Sequence, residues 1–181
     1  MDEKHLHALV PKLEQRFTTK VHVALDKRMP NPDSAYDYEA EKYIAMYIMT
    51  ELLKVDVPEN AKILGVVNVD MFIHRSVDEF IFGQAQYGAN SKAALISIFR
   101  MDPFSYVGGK HDDELLIKRM MKEAVHELGH VFGLRNCAEV QCAMYLPKDL
   151  RSLDKKTDSF CMITLKEFRA IEQSEEVIGD Q

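Results

Sequence analysis

The segment HELGHVFGLRN, from His126 to Asn136, constrains the chain more than any other. Two histidines four positions apart lie on one face of a helix, so His126 and His130 can direct both imidazoles at one metal ion. Glu127 follows the first histidine, where its carboxylate can act as general base on a metal-activated water. Gly133 accepts the positive φ that a helix end and a chain reversal require. The segment therefore predicts a helix, a turn and a hydrolytic zinc site.

The residue that the turn would return to the metal is Asn136. Its neutral amide oxygen is a weaker zinc donor than an imidazole nitrogen. Two interpretations stay open. Asn136 can ligate the metal, directly or through a bridging water, in a working site of lowered affinity, or the metal has been lost from a catalytically silent fold. His22, His74 and His111 are candidate substitute ligands, although an isolated histidine is more often structural or exposed.

A family resemblance extends beyond this helix. Residues 126–136 fit the metzincin signature HExxHxxGxxH except at the last position. The longer run HELGHVFGLRNCAEVQCAM, residues 126–144, resembles the archaemetzincin signature HExxHxxGxxHCx4CxM. The upstream segments ILGVVNVDMF, DEFIFGQAQYG and ALISIFRMDP resemble the strands and the cleft rim of the same family, in the same order. The resemblance covers roughly residues 20 to 170.

This resemblance implies an α/β (α+β) fold, with one metzincin-like domain over residues 1–181 and a mixed twisted sheet packed against helices. It implies a catalytic zinc held by His126 and His130, with Glu127 as the base. It also implies that Met144 is the Met-turn residue beneath the metal. Without the motif, Met144 would be one of ten methionines, most of which fill gaps in the core.

The three cysteines, Cys137, Cys142 and Cys161, are an odd number and point away from a disulfide framework. Metal ligation and simple burial remain as the two alternative roles of these cysteines. The resemblance implies a second, structural zinc held by four cysteines, but Thr164 stands at the fourth position, and threonine is not an expected zinc ligand at physiological pH. Three thiolates would need a water, a histidine or a carboxylate such as that of Asp158 to close a zinc site. The alternative is three buried thiols packed in the turn.

Composition excludes several classes of protein. A net charge of -6 and a pI of about 5.6 disfavour a nucleic-acid surface, which requires clustered Lys and Arg. No stretch approaches the roughly 18 continuous apolar residues of a membrane span. The charged N-terminal segment lacks the apolar region of a secretion signal, so we expect a cytoplasmic protein. A length of 181 residues is most simply one domain, which we expect to be a monomer.

Apolar periodicity predicts the order of the elements. Helices are expected in residues 1–19, 38–55, from 112 or 113 to between 129 and 132, and 164–178, and strands at 20–25, 62–73 and 94–101. Residues 80–88 suit a strand or an extended loop. The last helix is expected to begin with Thr164 as N-cap and Glu167 completing a capping box. The resemblance to the archaemetzincin family also implies that residues 94–101 could be an edge strand that pairs with an extended peptide; the alternative is a sheet strand with no substrate contact.

The leading hypothesis is a zinc peptidase that hydrolyses peptide bonds in peptide or protein substrates, with Zn²⁺ as cofactor. The alternative is a catalytically silent metzincin fold that binds peptides or proteins. Asn136 and Thr164 favour that alternative, because each replaces a ligand that the family would supply.

Overall fold

The computed structural model describes residues 2–73, 79–88, 90–104 and 109–179, with side chains up to residue 173 in the last helix. The helices are α1 (Glu3–Phe17), α2 (Ala45–Leu52), α3 (Asp113–Val131), α4 (Leu150–Lys155) and α5 (Met162–Gly179). The strands are β1 (Tyr36–Asp37), β2 (Lys42–Ile44), β3 (Ile63–Val67), β4 (Met71–Phe72), β5 (Gly83–Ala85) and β6 (Ala93–Ser97). Among these helices, none combines the length and apolar character needed to cross a bilayer.

Two small sheets organise the strands. The first has the order β1-β2-β4, and the second has the order β3-β6-β5. In the second sheet β3 runs parallel to β6, whereas β5 runs antiparallel to it. All five residues of β6 are buried, because strands flank it on both edges and helices contact it. The result is the predicted mixed α/β arrangement of sheets packed against helices.

Helix α3 is the central helix and packs against β5, β6 and α1. The side chain of Asp112 caps its N-terminus by accepting a 3.0 Å hydrogen bond from the backbone N–H of Leu115. Two acids in the first turn, Asp113 and Glu114, complement the positive end of the helix dipole. The predicted helix that starts at residue 112 or 113 is confirmed. Its C-terminal turns lie beside the edge of the second sheet.

Several predicted elements are wrong in detail. Residues 20–25 form no strand, because Val21 donates its N–H to the side chain of Glu14 rather than to a neighbouring strand. The helix predicted for 38–55 begins only at Ala45, because β2 first pairs with β1 and β4. The strand predicted for 62–73 is divided into β3 and β4, which belong to different sheets.

The interpretation of residues 94–101 as a substrate-binding edge strand is also wrong. Strand β6 ends at Ser97, and it lies between β3 and β5 with both edges paired. Helix α5 begins at Met162, so Thr164 is in its first turn and is not the N-cap. The side chain of Thr164 faces two cysteine sulfurs instead.

Candidate active site

Helix α3 presents His126 and His130 as a pair, with ring centroids 4.7 Å apart and ring planes at 85°. Nδ1 of His126 donates to the carbonyl oxygen of Ala143 at 3.0 Å, and Nδ1 of His130 donates to that of Leu134 at 2.8 Å. A carbonyl can only accept, so each Nδ1 carries a proton, and in the neutral imidazole the lone pair is then on Nε2. Burial lowers the pKa of His126 to about 4, which keeps this imidazole neutral at physiological pH. Both rings are therefore prepared as metal ligands.

Glu127 lies in a buried pocket between helix α3 and strand β5. Burial, together with the neighbouring Glu123 carboxyl group, raises the pKa of Glu127 well above its ordinary value, and the Lys156 ammonium group opposes this shift. Glu123 is within hydrogen-bonding reach of Glu127. A carboxyl group of raised pKa that can take up and release a proton is suited to general acid–base chemistry.

Lys156 supplies the positive charge behind this pocket. Its side chain is 1% exposed, and Nζ lies 3.2 Å from Oε2 of Glu123 and 3.3 Å from the carbonyl oxygen of Tyr145. Helix α4 ends one residue before it, so the short helix positions the ammonium group. The pocket thus contains two carboxyl groups and one ammonium group, and their charges partly compensate one another.

Met144 is buried beneath the C-terminal part of α3, where its thioether sulfur packs against Gly129. A side chain at position 129 would collide with this sulfur. The carbonyl oxygen of Met144 accepts a 2.8 Å hydrogen bond from the N–H of Cys137, which fixes the turn to the segment that follows the helix. The turn therefore supports the helix directly under its histidines.

Gly133 ends the helical segment with φ of +91°, a conformation that favours glycine. The chain then turns, and Asn136 becomes exposed at a cleft that it shares with His130. The cleft has a volume of about 450 Å³ and is also lined by Ala85, Tyr87 and Arg135. Nε of Arg135 donates to the Tyr87 hydroxyl at 3.2 Å, which links the two sides of the cleft. The structure thus brings the predicted third ligand position to the same opening as the second histidine.

The candidate substitute histidines do not join this pair. His22 is exposed, and Nδ1 of His111 lies 3.0 Å from a carboxylate oxygen of Asp102. His74 lies outside the described residues. Within the described parts of the chain, no further His, Cys, Asp or Glu completes a three-ligand group with His126 and His130. Asn136 is therefore the candidate third donor that the fold provides.

The three cysteines converge at a second location. Sγ atoms of Cys137, Cys142 and Cys161 all lie within 4.8 Å of one another. The hydroxyl oxygen of Thr164 lies 3.4 Å from the sulfurs of Cys142 and Cys161. Asp158 does not fill the fourth position, since its carboxylate pairs with Lys12 and Arg16.

Gly83 is a residue of the site that the sequence did not indicate. A Cβ atom on Gly83 would lie 2.6 to 2.9 Å from Cγ, Oε1 and Cδ of Glu127. We expect Gly83→Ala to displace the Glu127 carboxylate and, for the peptide hydrolysis proposed below, to reduce kcat/KM by about 10²-fold, because a small misplacement of a reacting group is costly. Steady-state kinetics measure the effect.

The control is Gly65→Ala in β3, where the added methyl group would meet the side chains of Leu52 and Leu95 and not the pocket. It is expected to lower stability and leave kcat/KM of the folded protein unchanged. Equal kinetic losses in the two variants would show that Gly83 has no specific effect on Glu127.

Other site residues also escaped the sequence analysis. Glu123 is four positions before Glu127, a spacing that places it on the same helix face and could have revealed it. Lys156 carries no local signal, since its proximity depends on the tertiary fold, and Gly83 lies in the segment that resembles the cleft rim of the family, where nothing indicates its contact with Glu127. Tyr87 belongs to the segment that resembles the cleft rim of the family, and Arg135 lies within the motif turn.

Comparison with known proteins agrees with this arrangement. A family model described as peptidase family M54 matches residues 13–170. An archaemetzincin of Pyrococcus abyssi is 41% identical over 128 residues, which are 70% of this chain and 65%, slightly under two thirds, of that relative.

Two solved structures share the fold. The archaemetzincin of Methanopyrus kandleri superposes with a TM-score of 0.79 and 25% identity, covering 94% of this chain and 87% of the other. A zinc-dependent peptidase of Methanocorpusculum labreanum gives a TM-score of 0.78 and 25% identity, covering 91% and 93%. The chain, with its paired histidines on α3 and its glutamate pocket, therefore belongs to peptidase family M54 and is a member of the archaemetzincin family.

Proposed function

We propose that the protein is a zinc-dependent peptidase that hydrolyses peptide bonds with Glu127 as general base. The observation that carries this proposal is the pair of imidazoles whose Nδ1 atoms are both held by backbone carbonyls, so that both Nε2 atoms are available to one ion. Such a pair fits zinc, which accepts neutral imidazole nitrogen as a ligand. Asn136 is proposed as the third, weaker donor.

Zinc, when bound, supplies a Lewis acid for the scissile carbonyl and lowers the pKa of water. Glu127 takes a proton from the attacking water and delivers it to the departing amine, so that the carboxyl group ends the cycle as it began. Glu123 and Lys156 hold Glu127 in place from behind. The raised pKa of Glu127 suits this exchange, because the group both accepts and returns a proton.

The proposed substrate position is along β5. This strand is the last in its sheet among the described strands, and Ala85 at its end lines the cleft next to His130. An extended peptide that pairs with β5 by strand addition would pass over the histidines. The backbone of β5, rather than that of β6, is therefore the proposed substrate contact.

The test of the function is hydrolysis of a fluorogenic peptide library by the purified protein, before and after removal of metal with a chelator. Hydrolysis is expected to disappear on chelation and to return when zinc is added. Hydrolysis that is unaffected by complete metal removal would contradict the proposal. A zinc-loaded protein that binds peptides without cleaving them would favour the silent binding module.

We expect Asn136→His to tighten zinc binding at the two-histidine site by about tenfold or more, because imidazole replaces a neutral amide oxygen. Peptide hydrolysis at limiting zinc should rise with it. Competition against a chromogenic chelator measures the zinc affinity. Asn136→Ala, which removes the amide oxygen, is the comparison variant. If neither substitution alters zinc affinity, position 136 is not at the metal.

A further inference from the structure

The cluster of Cys137, Cys142, Cys161 and Thr164 does not have the four thiolates of a closed structural zinc site. Thr164 is 2% exposed, and its buried hydroxyl has the sulfurs of Cys142 and Cys161 as its partners. Its oxygen lies in the first turn of α5 and is directed at the sulfurs rather than at the backbone carbonyls of the helix. Thr164 is thus placed as the fourth member of the cluster.

The dimensions of the cluster match those of a tetrahedral zinc site. With zinc–sulfur distances of about 2.3 Å and zinc–oxygen distances of about 2.1 Å, neighbouring sulfurs are about 3.8 Å apart, and a sulfur and an oxygen are about 3.6 Å apart. Sγ atoms of Cys137 and Cys161 are separated by 3.7 Å, and Thr164 Oγ1 is 3.4 Å from both Cys142 Sγ and Cys161 Sγ. The hydroxyl oxygen therefore stands where a fourth donor atom would stand.

Two backbone N–H groups are directed at the sulfurs of the cluster, while burial raises the pKa of the Cys137 thiol. The backbone N–H of Cys161 donates to Cys142 Sγ at 3.3 Å, and the N–H of Glu139 donates to Cys137 Sγ at 3.5 Å. Such bonds stabilise thiolates, as hydrogen bonds to an anion generally do. Cys137 and Cys161 are partly exposed, so an ion can be reached from solvent.

We propose that Thr164 Oγ1 is the fourth donor of a three-thiolate, one-hydroxyl zinc site, and that this site exchanges its ion more readily than a four-thiolate site would. A neutral hydroxyl is a weaker donor than a thiolate and lowers the negative charge around the ion by one. An incoming thiol or chelator can therefore displace the oxygen and begin removal of the ion. This inference concerns the cysteine cluster alone and does not depend on peptide hydrolysis.

The test uses Co²⁺ as a spectroscopic substitute for zinc in the full-length protein. Thiolate-to-cobalt charge-transfer absorption reports only this cluster, because the two-histidine site has no sulfur. Three variants are compared with the natural chain: Thr164→Cys supplies a fourth thiolate, Thr164→Val removes the oxygen at nearly constant shape, and Thr164→Ser keeps the hydroxyl. Circular dichroism of each metal-free variant establishes that it is folded.

We expect Thr164→Cys to bind Co²⁺ and Zn²⁺ at least about tenfold more tightly, with charge-transfer intensity increased towards four thiolates, and to release zinc to a chelator more slowly. Thr164→Val should lose about tenfold in affinity and show altered ligand-field bands, whereas Thr164→Ser should resemble the natural chain. Identical affinity and spectra for the natural chain and Thr164→Val would overturn the proposal. Absence of thiolate charge transfer in the natural chain, or no tightening in Thr164→Cys, would overturn it as well.

Discussion

Replacement of Glu127 with glutamine is expected to reduce peptide hydrolysis by about 10²- to 10⁴-fold, the contribution typical of a positioned acid–base group. Glutamine has nearly the same shape and can still donate a hydrogen bond to Glu123, but it cannot accept the proton of the attacking water. Steady-state kinetics with the zinc-loaded variant measure the loss. Glu114→Gln, an exposed change of the same type on the same helix, is the control and should retain full activity.

The same substitution should stabilise the metal-free protein. The folded-state pKa of Glu127 is raised, so the folded protein binds more protons than the unfolded chain, and the free energy of unfolding falls as pH rises from the ordinary value of 4.5 towards the raised pKa. Glutamine does not titrate and avoids this loss. The stability advantage of Glu127→Gln should therefore be larger at pH 8 than at pH 5. Full activity of this variant would exclude Glu127 as the base.

Replacement of Lys156 with methionine is expected to destabilise the protein by about 3–5 kcal/mol, because it leaves the buried carboxyl groups of Glu123 and Glu127 without their cation. For a chain of this length that corresponds to a decrease in Tm of roughly 6 to 20 °C. Urea and thermal denaturation of the metal-free protein measure it. Methionine has nearly the length of lysine, so the loss reports chiefly the charge and the contact with Tyr145.

Two controls separate this effect from the general cost of a changed helix end. Lys155→Met alters the adjacent, exposed lysine and should leave Tm unchanged. Adding Glu123→Gln to Lys156→Met should restore part of the lost stability, because it removes one of the carboxylates left without a cation. If Lys156→Met is as stable as the natural chain, the ammonium group does not compensate the charge of the Glu123 and Glu127 carboxyl groups.

The parts of the fold that the sequence predicted are those determined by local patterns. Helix α3 has a capping aspartate, acids in its first turn and apolar residues at helical intervals, so its bounds were predicted within a residue or two. Residues 20–25 have the composition of a strand, but strand formation depends on a partner that the sequence does not specify. Likewise, the order β3-β6-β5 is a tertiary property. It places β5 at the edge of the sheet, where β6 was expected.

The residues of the candidate site could likewise be predicted only where a local pattern identifies them. His126, Glu127 and His130 could be named because helical spacing alone brings them together. Lys156 reaches the pocket from 29 positions after Glu127, and Gly83 reaches it from another element, so no local pattern indicates either residue. The sequence has Thr164 where the resemblance implies a cysteine, but the direction of its hydroxyl depends on the start of α5 at Met162.

One residue, Ala143, joins the two proposed ion sites. The carbonyl oxygen of Ala143 accepts the hydrogen bond that orients His126, while the N–H of the same residue donates to Ser159 at 2.8 Å, and its neighbour Cys142 belongs to the cysteine cluster. Any ion that holds Cys142 therefore also restrains the group that aligns the His126 imidazole. The two sites should be thermodynamically linked, and by reciprocity an ion at either site would favour occupation of the other. Zinc binding by the protein would then depend cooperatively on the zinc concentration and would not follow one independent binding equilibrium.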